Sequence, residues 1–367
     1  MRTAALTCLM LCGACARPPA HAADASPPPS PAFASAPATV SAPAPLATTA
    51  VPTAPYIAIP GGAGGVGFDD LGFAHGLRRV LAPSAGTGQL ALVDPDTLAV
   101  TLVGGFSKSS SRYSGGHDEG TTSADEGRGL LFATDRTAIE LDVIDPRAGA
   151  IVARAKLAGS PDYVRWVGSA DAVWVTEPDR DRIEIFSLPK EGPPVPVHAA
   201  EIAVPGGPES LVIDETRKRA FTHLWKGTSV AIDLATHAIV ASWPNGCAGS
   251  RGIALDAARG FLFAGCAEGK LSVLDVDHGG KLLGSVSSGA GVDVIAYDAK
   301  RSHVYLPGAR SATMAIVAIA PDGKPSVLAT VPTAEGAHCV TADDRGWAWV
   351  CDPRGGKLLR FADPPAR

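Results

Sequence analysis

Seven residues of the kinds that bind metals, move protons or hold charge stand at well-separated points along the chain: Asp69, His117, Asp162, Glu209, Arg251, Asp293 and His338. Histidine and carboxylate side chains are common ligands of divalent cations, and a cation held by them can polarise a water for hydrolysis. If His117, Asp162, Glu209, Asp293 and His338 converge at ligand distances of roughly 2.0 to 2.6 Å, they form a metal centre. If they splay around an open mouth, they are polar groups facing water. Four cysteines pose a second choice. Cys247 and Cys266 bracket "AGSRGIALDAARGFLFAG", and Cys339 and Cys351 bracket "VTADDRGWAWV"; such thiols can bind zinc, exchange electrons or form disulfides.

Which chemistry applies depends on the elements that place these residues, and those elements repeat. An apolar run, a turn of the form Asp-x-x-Arg and a second run carrying an aromatic recur in "SADEGRGLLFA" around Asp125, "LVIDETRKRAFT" around Asp214, "IALDAARGFLFA" around Asp256 and "IAYDAKRSHVYL" around Asp298. Looser copies lie near His75, Asp171 and Asp343, which brings the number to seven. The step from Asp214 to Asp256 and on to Asp298 is 42 residues each time, and Asp343 follows after 45. Periods of that length are expected of four-stranded propeller blades. Each copy continues into a second hairpin with an Asp-initiated turn, as in "LALVDPDTLAVTLV" and "LSVLDVDHGGKLLGSV". No stretch of useful length has helical periodicity with caps. The pattern therefore predicts an all-β, seven-bladed β-propeller of four-stranded blades.

The last copy, from Ala337, supplies only three strands. "YIAIPGG" from Tyr56 matches "EIAVPGG" from Glu201, an outer strand, so Tyr56 to Pro60 is expected to complete the seventh blade and remove its open edge. The aromatics Phe132, Trp174, Phe221, Phe263, Tyr305 and Trp349 recur at one register position and are expected to pack blade against blade.

The blocks "CAGSRGIALDAARGFLFAGCAEGKLSVLDVDHGGKLLGSV" and "SGAGVDVIAYDAKRSHVYLPG" resemble the YVTN-repeat (YncE-like) seven-bladed propellers, whose members often carry a Cys before an inner strand, a Gly-Cys after the next and a Gly-Val-Asp opening the following blade. The likeness runs from Tyr56 to about Phe361 and is strongest in blades four to six; Cys339, Cys351 and Gly-Ala-His338 depart from it. It implies fold and export more than an activity, because one propeller architecture hosts many functions.

The N-terminus reads as an export signal: Arg2, an apolar run from Ala4 to Leu11, then small residues. Two exits are legible. "CGAC" resembles a lipobox whose Cys15 becomes the lipidated first residue, with Cys12 where Leu is usual, and Ala20-His21-Ala22 suits ordinary cleavage. We take the lipoprotein form as the expectation, giving a signal over 1–15, a Pro/Ala-rich tether over 16–55, the propeller over 56–362 and a short tail over 363–367. Residues 17–55 are almost free of charge and rich in Ala, Pro, Ser and Thr, a composition that cannot bury enough apolar surface to offset its ordering entropy. The location expected is periplasmic or cell-surface, anchored through Cys15. In such a compartment two disulfides within blades, Cys247–Cys266 and Cys339–Cys351, are the expected state of the domain cysteines.

In a propeller, inner strands start at one mouth of the central channel, and the loop between the second and third strands lies on the same face. That places Asp69 or Asp70, His117, Asp162, Glu209, Arg251, Asp293 and His338 at the mouth, with Asp118, Glu119, Asp135, Glu177, His223 and Asp352 nearby. His75, His237, His278 and His303 fall in turns or outer and second strands, where surface or packing roles are expected. The net charge of −5 with no basic cluster argues against nucleic acid as a partner, and no P-loop, dinucleotide fingerprint, Gly-x-Ser-x-Gly or His-Glu-x-x-His is present. The leading expectation is a monomeric binding scaffold that meets a protein or small ligand through the mouth. Its alternative is a metal-assisted, lactonase-like hydrolase or lyase using a divalent cation there.

Overall fold

The computed structural model describes residues 53–109, 113 and 115–363; the expected export signal, Cys15, the tether as far as residue 52 and residues 364–367 lie outside them. The described residues form seven four-stranded antiparallel sheets arranged as the blades of a propeller. Blades one to six occupy 72–104, 121–156, 164–203, 212–244, 250–287 and 296–332, each a simple meander in chain order. Blade seven combines 340–362 with Thr53–Ala58, which pairs antiparallel with Lys357–Ala362. Its register sets Thr53 opposite Phe361 and Ile57 opposite Leu358. The closing strand thus begins at Thr53 rather than Tyr56, inside what composition assigned to the tether. Beyond Tyr56 the period of two is plain, since Ile57 and Ile59 are buried and Tyr56 and Ala58 exposed.

Position within a blade decides burial. Second strands lie between neighbouring blades, so both their faces are covered and Ala172–Glu177 and Phe261–Cys266 are buried throughout. Outer strands meet water on one face and alternate, as in Ala150–Lys156. The six recurring aromatics all sit on second strands and are fully buried, as expected from their shared register. A side chain of this size contributes about 1.5–3 kcal/mol on burial.

The Asp-x-x-Arg turns of blades four to six latch each blade to the next. Asp214 accepts the amides of Thr216 and Arg217, each at 3.0 Å, and pairs with the Arg217 guanidinium. Arg217 also donates to the Ala257 carbonyl of blade five at 2.6 Å. Arg259 likewise pairs with Asp256 and donates to the Tyr297 hydroxyl of blade six at 2.8 Å. Arg301 pairs with Asp298 and reaches the Arg345 carbonyl of blade seven at 3.4 Å.

Blade two differs from the expected turn. Asp125 is a strand residue opposite Phe132, and its carboxylate accepts the Trp166 amide of blade three at 2.7 Å. The turn there is the pair Arg128–Gly129, with φ of 57° and 73°, the two-residue form suited to a tight hairpin. Both expected disulfides are present, with Cα separations of 5.2 Å for Cys247–Cys266 and 5.6 Å for Cys339–Cys351.

Candidate functional site

The central feature of the mouth is His117, supplied by the segment that leads into blade two. Its Nδ1 lies 2.8 Å from Oδ2 of the buried Asp69. A carboxylate only accepts, so Nδ1 carries the proton and Nε2 is turned towards Asp293, whose Oδ2 is 3.5 Å away. The His117 ring stacks on that of His338, with centroids 5.2 Å apart and planes at 28°. One ligand atom from each of His117, Asp293 and His338 falls within 4.8 Å of the others. His338 is also anchored, its Nε2 2.8 Å from the Phe68 carbonyl and its Nδ1 2.6 Å from that of Gly336.

Asp162 and Glu209, expected in the same cluster, are held by other partners. Arg136 Nη2 contacts Asp162 at 2.5 Å and Asp69 at 3.5 Å, while its Nε donates to the Pro161 carbonyl and its Nη1 to that of His117. Glu209 receives Arg251 Nη1 at 2.8 Å on one oxygen and the indole N–H of Trp225 on the other. The Arg251 guanidinium carbon lies 5.4 Å from the centre of the Trp225 ring. These groups enclose a cavity of about 500 Å³, whose lining includes His117, Arg136, Asp162, Glu209, Trp225, Arg251 and Asp293. That volume is in the range of small-molecule sites.

Burial and neighbouring charge tune the ionisable groups in opposite directions. Asp69 beside His117 is the main reason that the imidazole is pushed up to about 10, against the cost of its burial. Burial pushes Asp69 up, but His117 and Arg136 outweigh it and leave the carboxyl below its usual range. Burial raises Asp162 to about 7 in spite of Arg136. Glu209 goes up to about 9, through burial first and the nearby Asp162 second. Without a metal the mouth therefore holds an imidazolium between Asp69 and Asp293, beside carboxyls able to hold a proton near neutral pH; a divalent cation at Nε2 would have to displace its proton.

Not every residue expected at the mouth reaches it. His223 is fully buried, with Nδ1 2.9 Å from the Ser229 hydroxyl and Nε2 3.3 Å from the Phe263 carbonyl of blade five. Its second strand is sandwiched between blades, and burial lowers the imidazole to about 4. Asp70 faces Arg165 and Ser123 at 2.6 Å each and not His117. Asp135 caps backbone amides of Ser107 and Ala138, Glu177 binds Arg182, and Asp352 binds the Gly355 amide. Asp118 does line the cavity, and Glu119 lines a neighbouring hollow. His303 is satisfied by Asp363 at 2.8 Å and His278 by Asp275 at 2.7 Å, in the roles expected of them. Cys339 and Cys351 also lie close to His338, but sulfurs joined in a disulfide are not thiolate ligands.

Arg136 and Trp225 are the functional candidates that sequence reasoning passed over. Both directly follow a second strand, Leu130–Asp135 and Arg219–Leu224, in the loops that a propeller turns towards this face.

No family model and no curated protein matches the sequence. Solved structures do match in shape. A chain in the crystal structure of the mitotic checkpoint complex superposes with a TM-score of 0.70 at 9% identity, covering 90% of this chain and 98% of that one. Kuenenia stuttgartiensis hydrazine synthase gives 0.66 at 12% identity over 82% of this chain and 96% of its own. The Cps50 (Swd1) β-propeller domain of Myceliophteria thermophila gives 0.66 at 13% identity over 82% and 98%. At such identities the likeness defines the class of protein, a seven-bladed β-propeller, and nothing of its chemistry.

Proposed function

We propose that the chain is a metal-assisted hydrolase or lyase of the lactonase type, acting on a lactone- or ester-like substrate at the channel mouth. The observation that carries this reading is the orientation of His117: Asp69 holds the Nδ1 proton, and Nε2 is aimed at Asp293 with His338 alongside. A carboxylate behind a histidine is the arrangement that orients imidazole ligands in metal sites. The 3.5 Å between Nε2 and the Asp293 oxygen is close to the roughly 3.3 Å expected between two ligands of one tetrahedral ion. His338 would exchange one carbonyl contact to become the third ligand. A divalent cation held there would polarise a carbonyl or a water. The chain's own contribution is Asp162 and Glu209, which burial equips to hold and pass a proton at the cavity wall, and Arg251, whose charge faces the same space.

The same proposal places the protein outside the cytoplasm as a monomer, anchored through a lipidated Cys15 and related to the YVTN-repeat (YncE-like) propellers. Two disulfides support export, since such bonds persist in oxidising compartments. The binding-scaffold reading keeps one observation in its favour: both ring nitrogens of His338 are already held by backbone carbonyls.

Metal analysis of the purified protein, with His117→Ala and Asp293→Ala as controls, followed by a lactone and ester panel, separates the two. Stoichiometric divalent metal that both variants lose, together with turnover, is expected. A metal-free, inactive protein that still captures partners in pull-downs would overturn the enzyme in favour of the scaffold. Membrane partitioning of the wild type against Cys15→Ser tests the anchor.

A further inference from the structure

One wall of the cavity has a composition that metal-assisted hydrolysis does not require. In six blades the residue after the second strand is Ser84, Arg136, Pro178, Ala267, Ala309 or Pro353, while blade four alone places an aromatic there, Trp225. That indole is 49% exposed, and it lines the cavity. It is not a loose surface side chain. Its N–H donates to Glu209, and the Arg251 guanidinium lies over its ring, so the face it offers is fixed in place. Among the described residues Arg251 spends only Nη1, on Glu209, which leaves Nε and Nη2 as donors beside the indole.

A flat apolar face next to fixed charged groups suits a ligand with one apolar face and a hydroxylated rim. We propose that Trp225, Arg251 and Glu209 form a recognition subsite for a neutral pyranose-type ring: its C–H face lies on the indole, and its hydroxyls donate to carboxyl oxygens and accept from Arg251. Five carboxyls line the cavity against three cationic groups, Arg136, Arg251 and the His117 imidazole, so acceptors are in excess and an uncharged polyol fits better than a sugar acid. The volume of about 500 Å³ admits a ring of this size with room for a substituent. The inference rests on the same mouth being the ligand site and narrows the substrate of the proposed hydrolase to sugar-derived lactones or esters. It does not depend on the metal.

The test is equilibrium binding to the purified full-length protein, by calorimetry and tryptophan fluorescence, before and after stripping with a chelator. The probes are D-glucose, D-galactose, D-mannose, D-glucono-1,5-lactone, D-glucuronate and δ-valerolactone. Saturable binding of at least one neutral hydroxylated ring is expected, with δ-valerolactone and glucuronate weaker, and it persists on the stripped protein. Trp225→Ala should weaken it about tenfold or more, and Trp225→Phe, which keeps an aromatic face, much less. Circular dichroism and melting of both variants report whether the fold is intact. Absence of saturable binding by every neutral ring, preference for glucuronate, or equal affinity in a folded Trp225→Ala variant would each overturn the subsite. Failure of the metal reading shows instead in metal content, with sugar binding unchanged.

Discussion

His223 provides a direct check on the reassignment of a mouth candidate to the interior. Its imidazole is neutral in the fold, accepting from the Ser229 hydroxyl and donating to the Phe263 carbonyl. Burial brings it from 6.5 down to about 4, the Phe263 hydrogen bond opposing. Between those values the unfolded chain binds a proton that the native state refuses, so stability rises with pH across that window. The contribution is fully present above about 6.5 and is lost as the pH falls through about 4. At about 1.4 kcal/mol per pH unit the whole window amounts to about 3 kcal/mol, most of it gone by pH 4.5. His223→Gln removes the titration and disturbs two buried hydrogen bonds, at a cost of about 1–3 kcal/mol at pH 7. Urea midpoints at pH 7.5 and 4.5 should therefore show the variant well below the wild type at the higher pH and close to it at the lower. NMR of the wild type should show one imidazole resonance that stays neutral to about pH 4. Parallel stability curves for the two proteins, or a His223 resonance titrating near 6.5, would refute the burial argument.

Three further outcomes are expected. Replacing Cys247 and Cys266 together by Ser should cost about 3 kcal/mol by loop entropy, read as a lower denaturant midpoint, with no loss of the fold in circular dichroism. Ile57→Asp places a charge in the buried register of the closing strand and should destabilise by about 3 kcal/mol or more, while Tyr56→Asp, at an exposed position, should change little; deletion of 53–58 should lower the melting temperature further than either. Arg259→Ala removes a partly buried pair with Asp256 and the contact to Tyr297 of the next blade, and should cost about 2–4 kcal/mol in thermal unfolding, whereas Lys324→Ala, an exposed pair, should be nearly neutral.

The architecture was legible because a propeller repeats: the 42-residue step and the aromatic register fix which strands pair before any contact is known. The closing strand was legible from its likeness to the outer strand at Glu201. Local similarity misled at Asp125, where the same Asp-x-x-Arg letters occur one hairpin register away and the left-handed pair Arg128–Gly129 makes the turn. At the mouth, strand starts located Asp69, His117 and Asp293, because topology alone carries them there. What topology could not supply was the grouping. Arg136 draws Asp162 aside and Arg251 with Trp225 draws Glu209 aside, through loop conformations and contacts between blades that no single repeat encodes. His223 shows the complementary limit: strand alternation normally gives one wet face, but a second strand between two blades has none.

The pairing of Ile57 with Leu358 joins positions about 300 residues apart, and it sets an order of events. As the chain is made from its N-terminus, blades one to six can fold from local meanders while the earliest strand has nothing to pair with. Contacts of that sequence separation form slowly, since the loop-closure entropy is met before any stabilisation follows. Ring closure is then expected to be the last and slowest step of assembly. Until the final strand emerges, residues 53–58 are an unpaired edge in waiting, exposed to any other strand that could take their place.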